Sequence, residues 1–200
     1  NATRFVMMNL TIDKCELPAA DALAPEDKWV LSKLNTLVKE VTENLDAYEI
    51  GVASAKVYDF LWDTYCDWYI ELTKTRLQGE DEGAKLAAQN VLCFVLTELL
   101  KLLHPFMPFI TEEIYQALPH EEQFIMTSRW PEYRADLAFP EEEAAMEAVM
   151  DTIKAIRARR AEMNVPPSKK ARLTVATAEE DTFRLGEAFL KKLAYASEVN

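Results

Sequence analysis

Glycine is scarce, with 4 in 200 residues. Tight hairpins and glycine-lined phosphate loops both need it, so the chain is expected to be built from long helices with short joints. Cysteine is equally sparse. Cys15, Cys66 and Cys93 form an odd set without a CxxC pair, which argues against a disulfide framework and against zinc, and suits reduced thiols in the cytoplasm. No apolar run approaches 18 residues and no basic segment leads into an apolar one, so neither a membrane span nor an export signal is expected. No Ser/His/Asp arrangement and no dinucleotide fingerprint occurs. Standing alone, the chain is expected to have no catalytic residues.

What remains is apolar and acidic. Half of the residues are hydrophobic and the net charge is −12. That charge favours solubility and, taken globally, disfavours nucleic acid, although a local basic patch outweighs the total. The spacing predicts helices at Asn1 to Leu10, with Phe5 and Met8 apolar, and from Pro25 to about Leu45, with Pro25 at the first helical position and Glu26 and Asp27 complementing the dipole. Gly51 is expected at the joint into a central helix, Val57 to Arg76. There Tyr58, Leu61, Trp62, Tyr65, Tyr69 and Leu72 fall on one face, with Val57, Phe60 and Trp68 beside it. Further helices are predicted at Ala84 to Leu103, Phe109 to Leu118 and Glu141 to Met163. His104 should lie at a helix C-terminus, and Pro119 to Pro140 should form a long connection.

After Val165-Pro166-Pro167 the pattern changes. Ala171 to Thr177 alternates like a strand, Glu179 to Ala196 reads as a helix, and the strand's partner is expected beyond residue 200. The fold class is therefore mainly α: a helical bundle over 1–165 and a small, truncated C-terminal α/β annex over 166–200. The chain opens without Met in a helical pattern and is expected to be a piece of something longer.

Two charge patterns bear on function. Asp59, Asp63, Asp67 and Glu71 recur every fourth residue, a self-repelling ladder unless solvated or paired. A carboxylate metal site would need Glu-x-x-His pairs, but Lys101 and Ala117 stand three before His104 and His120, so no metal is expected. Asp67 is the member expected to be internal, with Arg4 as its cation. From Lys154 to Arg172 there are seven cations, among them Arg157, Arg160, Lys169 and Lys170, against the single Glu162. Such an edge suits phosphate contacts or, alternatively, the bundle's own acids.

Several motifs taken together resemble one family. They are Asn1-Ala2-Thr3-Arg4-Phe5, Trp29-Val30-Leu31-Ser32-Lys33-Leu34, Phe60-Leu61-Trp62-Asp63 with Cys66-Asp67-Trp68-Tyr69-Ile70-Glu71, and His104-Pro105-Phe106-Met107-Pro108-Phe109-Ile110-Thr111-Glu112-Glu113. The family is the anticodon-binding helical domain of class Ia aminoacyl-tRNA synthetases. Arg160-Ala161-Glu162-Met163-Asn164-Val165-Pro166-Pro167-Ser168-Lys169-Lys170, with Trp130-Pro131, is similar to its valine-specific branch. The resemblance runs from residue 1 to about 196.

It implies a module that holds the tRNA(Val) anticodon stem-loop beside the catalytic domain of the same polypeptide. The parent enzyme would be cytoplasmic, use ATP, and join valine to its tRNA. HIGH, KMSKS and editing residues are absent here, so no catalytic residue, metal or cofactor is expected in this chain, and no membrane. The state expected is monomeric. Arg4 and Phe5 are expected as a donor and a stacking platform for splayed bases, unless Phe5 is core and Arg4 pairs with Asp67. Arg157, Arg160, Lys169 and Lys170 are expected to hold phosphates. The rival functions are a helical protein–protein adaptor and a carboxylate metalloenzyme.

Overall fold

The computed structural model describes residues 1–200. The chain divides into two compact units, 1–139 and 140–200. The break falls earlier than the expected boundary at residue 165, because the helix after Pro140 packs with the C-terminal elements and groups with them.

The first unit is a helical bundle: α1 (Ala2–Asn9), α2 (Pro25–Asp46), α3 (Ile50–Asp59), a π-helical stretch (Phe60–Tyr69), α4 (Ile70–Leu77), α5 (Glu82–Leu103) and α6 (Pro108–Ala117). Pro25 and Pro108 open α2 and α6, where a missing N–H costs nothing. Asp81 caps α5, accepting from the N–H groups of Gly83 at 3.0 Å and Ala84 at 3.1 Å. By length and composition α5 could cross a membrane, contrary to the sequence expectation. It is instead the core helix, with 67% of its most apolar window buried. Val91, Leu92, Cys93 and Val95 are fully enclosed, whereas Leu86 is exposed. Gly51 lies inside α3, and the α2–α3 turn is made by Tyr48 in a left-handed conformation, φ 61°.

α3, the π stretch and α4 follow one another without a break. Their buried residues are Ala53, Val57, Phe60, Tyr65, Tyr69, Ile70, Leu72, Thr73 and Leu77. From Phe60 to Tyr65 the step is five residues, the period of i→i+5 bonding rather than of an α-helix. That step splits the expected face: Tyr65, Tyr69 and Leu72 are inside as expected, and Tyr58 and Trp62 are not. Val57 and Phe60 take the core before it and Tyr65 and Tyr69 after it. Tyr58 and Trp62 are left 61% and 57% exposed, stacked on each other at 6.3 Å. The same step leaves Asp63 and Asp67 facing solvent.

The buried charges lie elsewhere. Asp27 is fully buried, with Arg76 Nη1 donating to Oδ2 at 2.8 Å, Nη2 to Oδ1 at 2.5 Å, and the Tyr69 hydroxyl to Oδ1 at 2.6 Å. Arg76 Nε lies 2.7 Å from Glu26 Oε1. Burial pushes the Glu26 carboxyl above its ordinary range, and the Arg76 charge opposes that rise. Residues 26 and 27 thus do more than complement a helix dipole: they fasten α2 to α4.

The long connection straps α2 from outside. Trp130 Nε1 donates to Thr42 Oγ1 at 2.9 Å, and Asn35 pairs with the Arg134 backbone in both directions at 2.7 Å. These bonds account for a buried asparagine that would otherwise carry a desolvation cost. His104 uses its side chain on Thr111 Oγ1, at 2.7 Å, rather than on the last carbonyls of α5.

The second unit comprises α7 (Pro140–Glu162), β1 (Ala171–Leu173), α8 (Glu180–Leu185), α9 (Glu187–Leu193) and β2 (Ala196–Val199). β1 is shorter than expected, and its partner lies within the chain: β2 runs parallel to it, pairing Ala171 with Ala196 and Leu173 with Val199. The expected single helix is interrupted at Gly186 and ends at Leu193, which frees the last residues to pair. Gly186 is required by packing, since a Cβ there would sit 2.5 Å from Val149 Cγ2, a buried atom of α7. Gly186→Ala is therefore expected to cost about 1–3 kcal/mol through overpacking. Thermal denaturation of the two proteins measures it, and equal melting temperatures would contradict the contact.

Candidate nucleic-acid interface

The basic edge is a constructed surface. At the end of α7, Asn164 turns left-handed (φ 53°), and the chain folds back through Pro166 and Pro167. Arg160 holds that turn: its Nη2 donates to the carbonyls of Pro166 at 3.0 Å and Lys169 at 2.5 Å. Arg157 Nε donates to Leu193 O at 2.6 Å, and both guanidinium groups lie over the Tyr195 ring, at 5.9 and 5.6 Å from its centre. Arginine suits this work because its planar fork bonds carbonyls and stacks on an aromatic at once.

The edge splits by role. Lys154, Arg159 and Arg172 pair with Asp151, Glu162 and Glu198 of the same unit. Lys169 and Lys170 are exposed, and neither forms an ion pair. Arg157, Arg160 and Lys169 are thus brought together as expected, but the arginines spend donors on backbone carbonyls. The two lysines are the charges left for an outside anion. Tyr195, in a left-handed conformation (φ 57°), is missed by sequence reasoning. An aromatic 35 residues beyond Arg160 gives no periodic signal.

On α1, Arg4 is exposed and makes no ion pair, and Asp67 is exposed as well. The expected Arg4–Asp67 pair is absent because the buried carboxylates are Glu26 and Asp27 and their cation is Arg76. Arg4 lines an open groove of about 580 Å³ with Asn1, Thr3, Met7, Met8, Ile110 and Ile114. Phe5 is half-buried, with the Lys74 ammonium 5.6 Å from its ring centre, so one face of its ring already carries a cation. Beside the groove the α5–α6 corner is apolar and exposed, with Met107 half-exposed and Phe109 91% exposed. The proline- and phenylalanine-rich run at 104–110 is the sequence signal for this face. The acid ladder is a solvated face, with Glu71 paired to Lys74, and no three His, Cys, Asp or Glu side chains converge on a metal-sized site.

A mainly α bundle with a cationic turn on its smaller unit defines a binding module. Residues 27–176 match the family described as the anticodon-binding domain of tRNA ligase, and the chain belongs to that family. Among curated relatives it is similar to the valine–tRNA ligase of Clostridium acetobutylicum, 52% identical over 205 residues, and to that of Clostridium perfringens, 52% identical over 204. Each match takes in 100% of this chain and 23% of the relative. The valine–tRNA ligase of Bacillus cereus is 45% identical over 181 residues, 90% of this chain and 20% of the relative. The chain thus spans about a quarter of the length of the relatives it matches.

Proposed function

We propose that this chain is the part of a valine–tRNA ligase that holds the anticodon stem-loop of tRNA(Val). The observation that carries the reading is identity above one half over the whole chain with proteins of that name. ATP-dependent joining of valine to tRNA would take place in the remaining three-quarters of such a protein, acting as a monomer in the cytosol.

In this reading the two kinds of site divide the work. Lys169 and Lys170 hold phosphates on a turn made rigid by Arg160, which positions the RNA without reading its sequence. Arg4 and the half-buried Phe5 offer a donor and an aromatic edge to unstacked anticodon bases. The acidic remainder repels RNA and narrows the orientations in which it docks. A second partner is supported by the exposed Met107 and Phe109, an apolar surface of the kind that marks protein contact. We assign it to the catalytic part of the same polypeptide rather than to an independent adaptor role.

A gel shift comparing valine tRNA with a copy altered in the anticodon tests the reading. Retardation of the first at protein concentrations that leave the second free is expected, and equal retardation of both would overturn anticodon recognition. Arg4→Ala adds a sharper contrast. Because Arg4 is exposed and unpaired, its removal is expected to leave the melting temperature within about 2 °C, since surface changes stay near 0.5 kcal/mol. It should reduce the preference for the intact anticodon by roughly tenfold, the value of one good base contact. A lowered melt with unchanged preference would make Arg4 a structural residue.

A further inference from the structure

Three residues other than glycine have a left-handed backbone, Tyr48, Asn164 and Tyr195, and two of them belong to one cluster of the second unit. Asn164 starts the turn that carries Lys169 and Lys170, and Tyr195 stands far along the chain, at the joint between α9 and β2. A left-handed backbone is disfavoured for any residue with a Cβ and is freely taken by glycine, so a tyrosine is held here against its local preference. What the position gains from the side chain is a ring. The Arg160 guanidinium lies 5.6 Å from the ring centre and the Arg157 guanidinium 5.9 Å. Each arginine then reaches on to backbone. Arg157 Nε donates to Leu193 O at 2.6 Å, on the same joint, and Arg160 Nη2 donates to Pro166 O and Lys169 O, in the turn. Ala171 N donates to Tyr195 O at 3.4 Å, so the residue also meets the exit of the turn through its backbone. Tyr195 is half-buried between Ala194 and Ala196, both buried, which anchors the ring's attachment point.

We propose that Tyr195 is a positioning residue for the phosphate grip. Its ring fixes the two guanidinium groups, Arg160 in turn fixes the chain from Pro166 to Lys169, and that turn presents the ammonium groups of Lys169 and Lys170 together. The proposal rests on the reading of those two lysines as phosphate-holding residues, and Tyr195 itself touches no phosphate. An aromatic face suits the task. A carboxylate at this place would hold the arginines as well, but it would cancel charge that draws a phosphate in; a ring attracts a guanidinium through its quadrupole and leaves the edge positive. Without the ring the turn is looser, and binding must then order it. The number of cations stays the same, so affinity falls while the salt dependence does not change.

Tyr195→Gly removes the ring and suits the left-handed backbone, and Tyr195→Phe keeps the ring without its hydroxyl. Binding of valine tRNA over a salt series is expected to be about fivefold weaker for Tyr195→Gly, with the slope of the parent, and parent-like for Tyr195→Phe. Amide hydrogen exchange read by mass spectrometry without RNA should be faster over residues 165–170 in Tyr195→Gly only, with α7 and α9 unchanged. Arg160→Lys keeps the charge but lacks the planar fork, and should reproduce the Tyr195→Gly pattern. Unchanged exchange over 165–170, an altered salt slope, or Tyr195→Phe behaving like Tyr195→Gly would each overturn the proposal. Faster exchange throughout α7 and α9 would also overturn it, making Tyr195 a packing residue. Lys169→Glu with Lys170→Glu separates the proposal from the reading beneath it. If that variant binds weakly while Tyr195→Gly binds like the parent, the lysine edge stands and the positioning role falls. If it binds like the parent, the lysine edge falls and the positioning role with it.

Discussion

Arg76→Ala is expected to destabilise the protein by about 3–5 kcal/mol, because it leaves two buried carboxylates without their cation. For a domain of this size that lowers the melting temperature by roughly 10 °C. The geometry makes the loss large. The Arg76 side chain is 15% exposed, Glu26 5% and Asp27 0%, so water cannot replace the guanidinium at either carboxylate. The three groups act as one network, so their substitutions should not add. In the Arg76→Ala background, Asp27→Asn is expected to cost much less than it does alone, since the charge it removes is already unpaired. Full additivity in that double-mutant cycle would deny the network.

The same variant carries a pH signature whose sign follows from Glu26. Its folded-state carboxyl lies above its ordinary value, with burial the main cause. Between the ordinary and the raised value the folded protein binds more protons than the unfolded chain, so stability falls as pH rises through that window. Removing Arg76 takes away the influence that lowers Glu26, and the window extends upward. The deficit of Arg76→Ala relative to the parent should therefore shrink as pH drops from about 7 towards about 5. Denaturant melts at a few pH values read this out, and a deficit independent of pH would assign the loss to packing alone.

The second large effect concerns RNA. Lys169→Glu with Lys170→Glu is expected to weaken binding of valine tRNA at least about tenfold and to flatten the dependence of log affinity on log salt by about 1.5. Each lysine that neutralises a phosphate releases counterions, so the slope measures how many phosphates the protein neutralises. The substitutions spare the turn itself. Arg160 bonds the backbone carbonyls of Pro166 and Lys169, and the Lys169 N–H donates to Pro166 O at 3.0 Å, none of which involves a lysine ammonium. The melting temperature should stay constant, which separates weakened RNA binding from a damaged fold. Filter binding over a salt series supplies the measurement, and an unchanged slope would remove the lysine pair from the interface.

Helix positions were legible because their causes are local. Pro25, Pro108 and the Pro166-Pro167 stop act within one turn of where they stand, and α2, α5, α6 and α7 fall within a few residues of expectation. The cationic stretch was legible as composition. Its internal division was not, because nothing in the spacing distinguishes an arginine that folds back onto carbonyls from a lysine that projects.

The mainly helical class, the proline-marked helix ends and the family are legible locally, since periodicity, proline placement and motif order are properties of neighbouring residues. Which carboxylates are buried, where the central helix shifts its inner face and where β1 finds its partner depend on packing between distant segments. Asp27 meets Arg76 across 49 residues, the five-residue step from Phe60 to Tyr65 leaves Tyr58 and Trp62 outside while Tyr65 and Tyr69 stay in the core, and the missing side chain at Gly186 is required by Val149 on another helix. Each of these is fixed by what a distant segment brings against the residue, and helical periodicity holds no information about that.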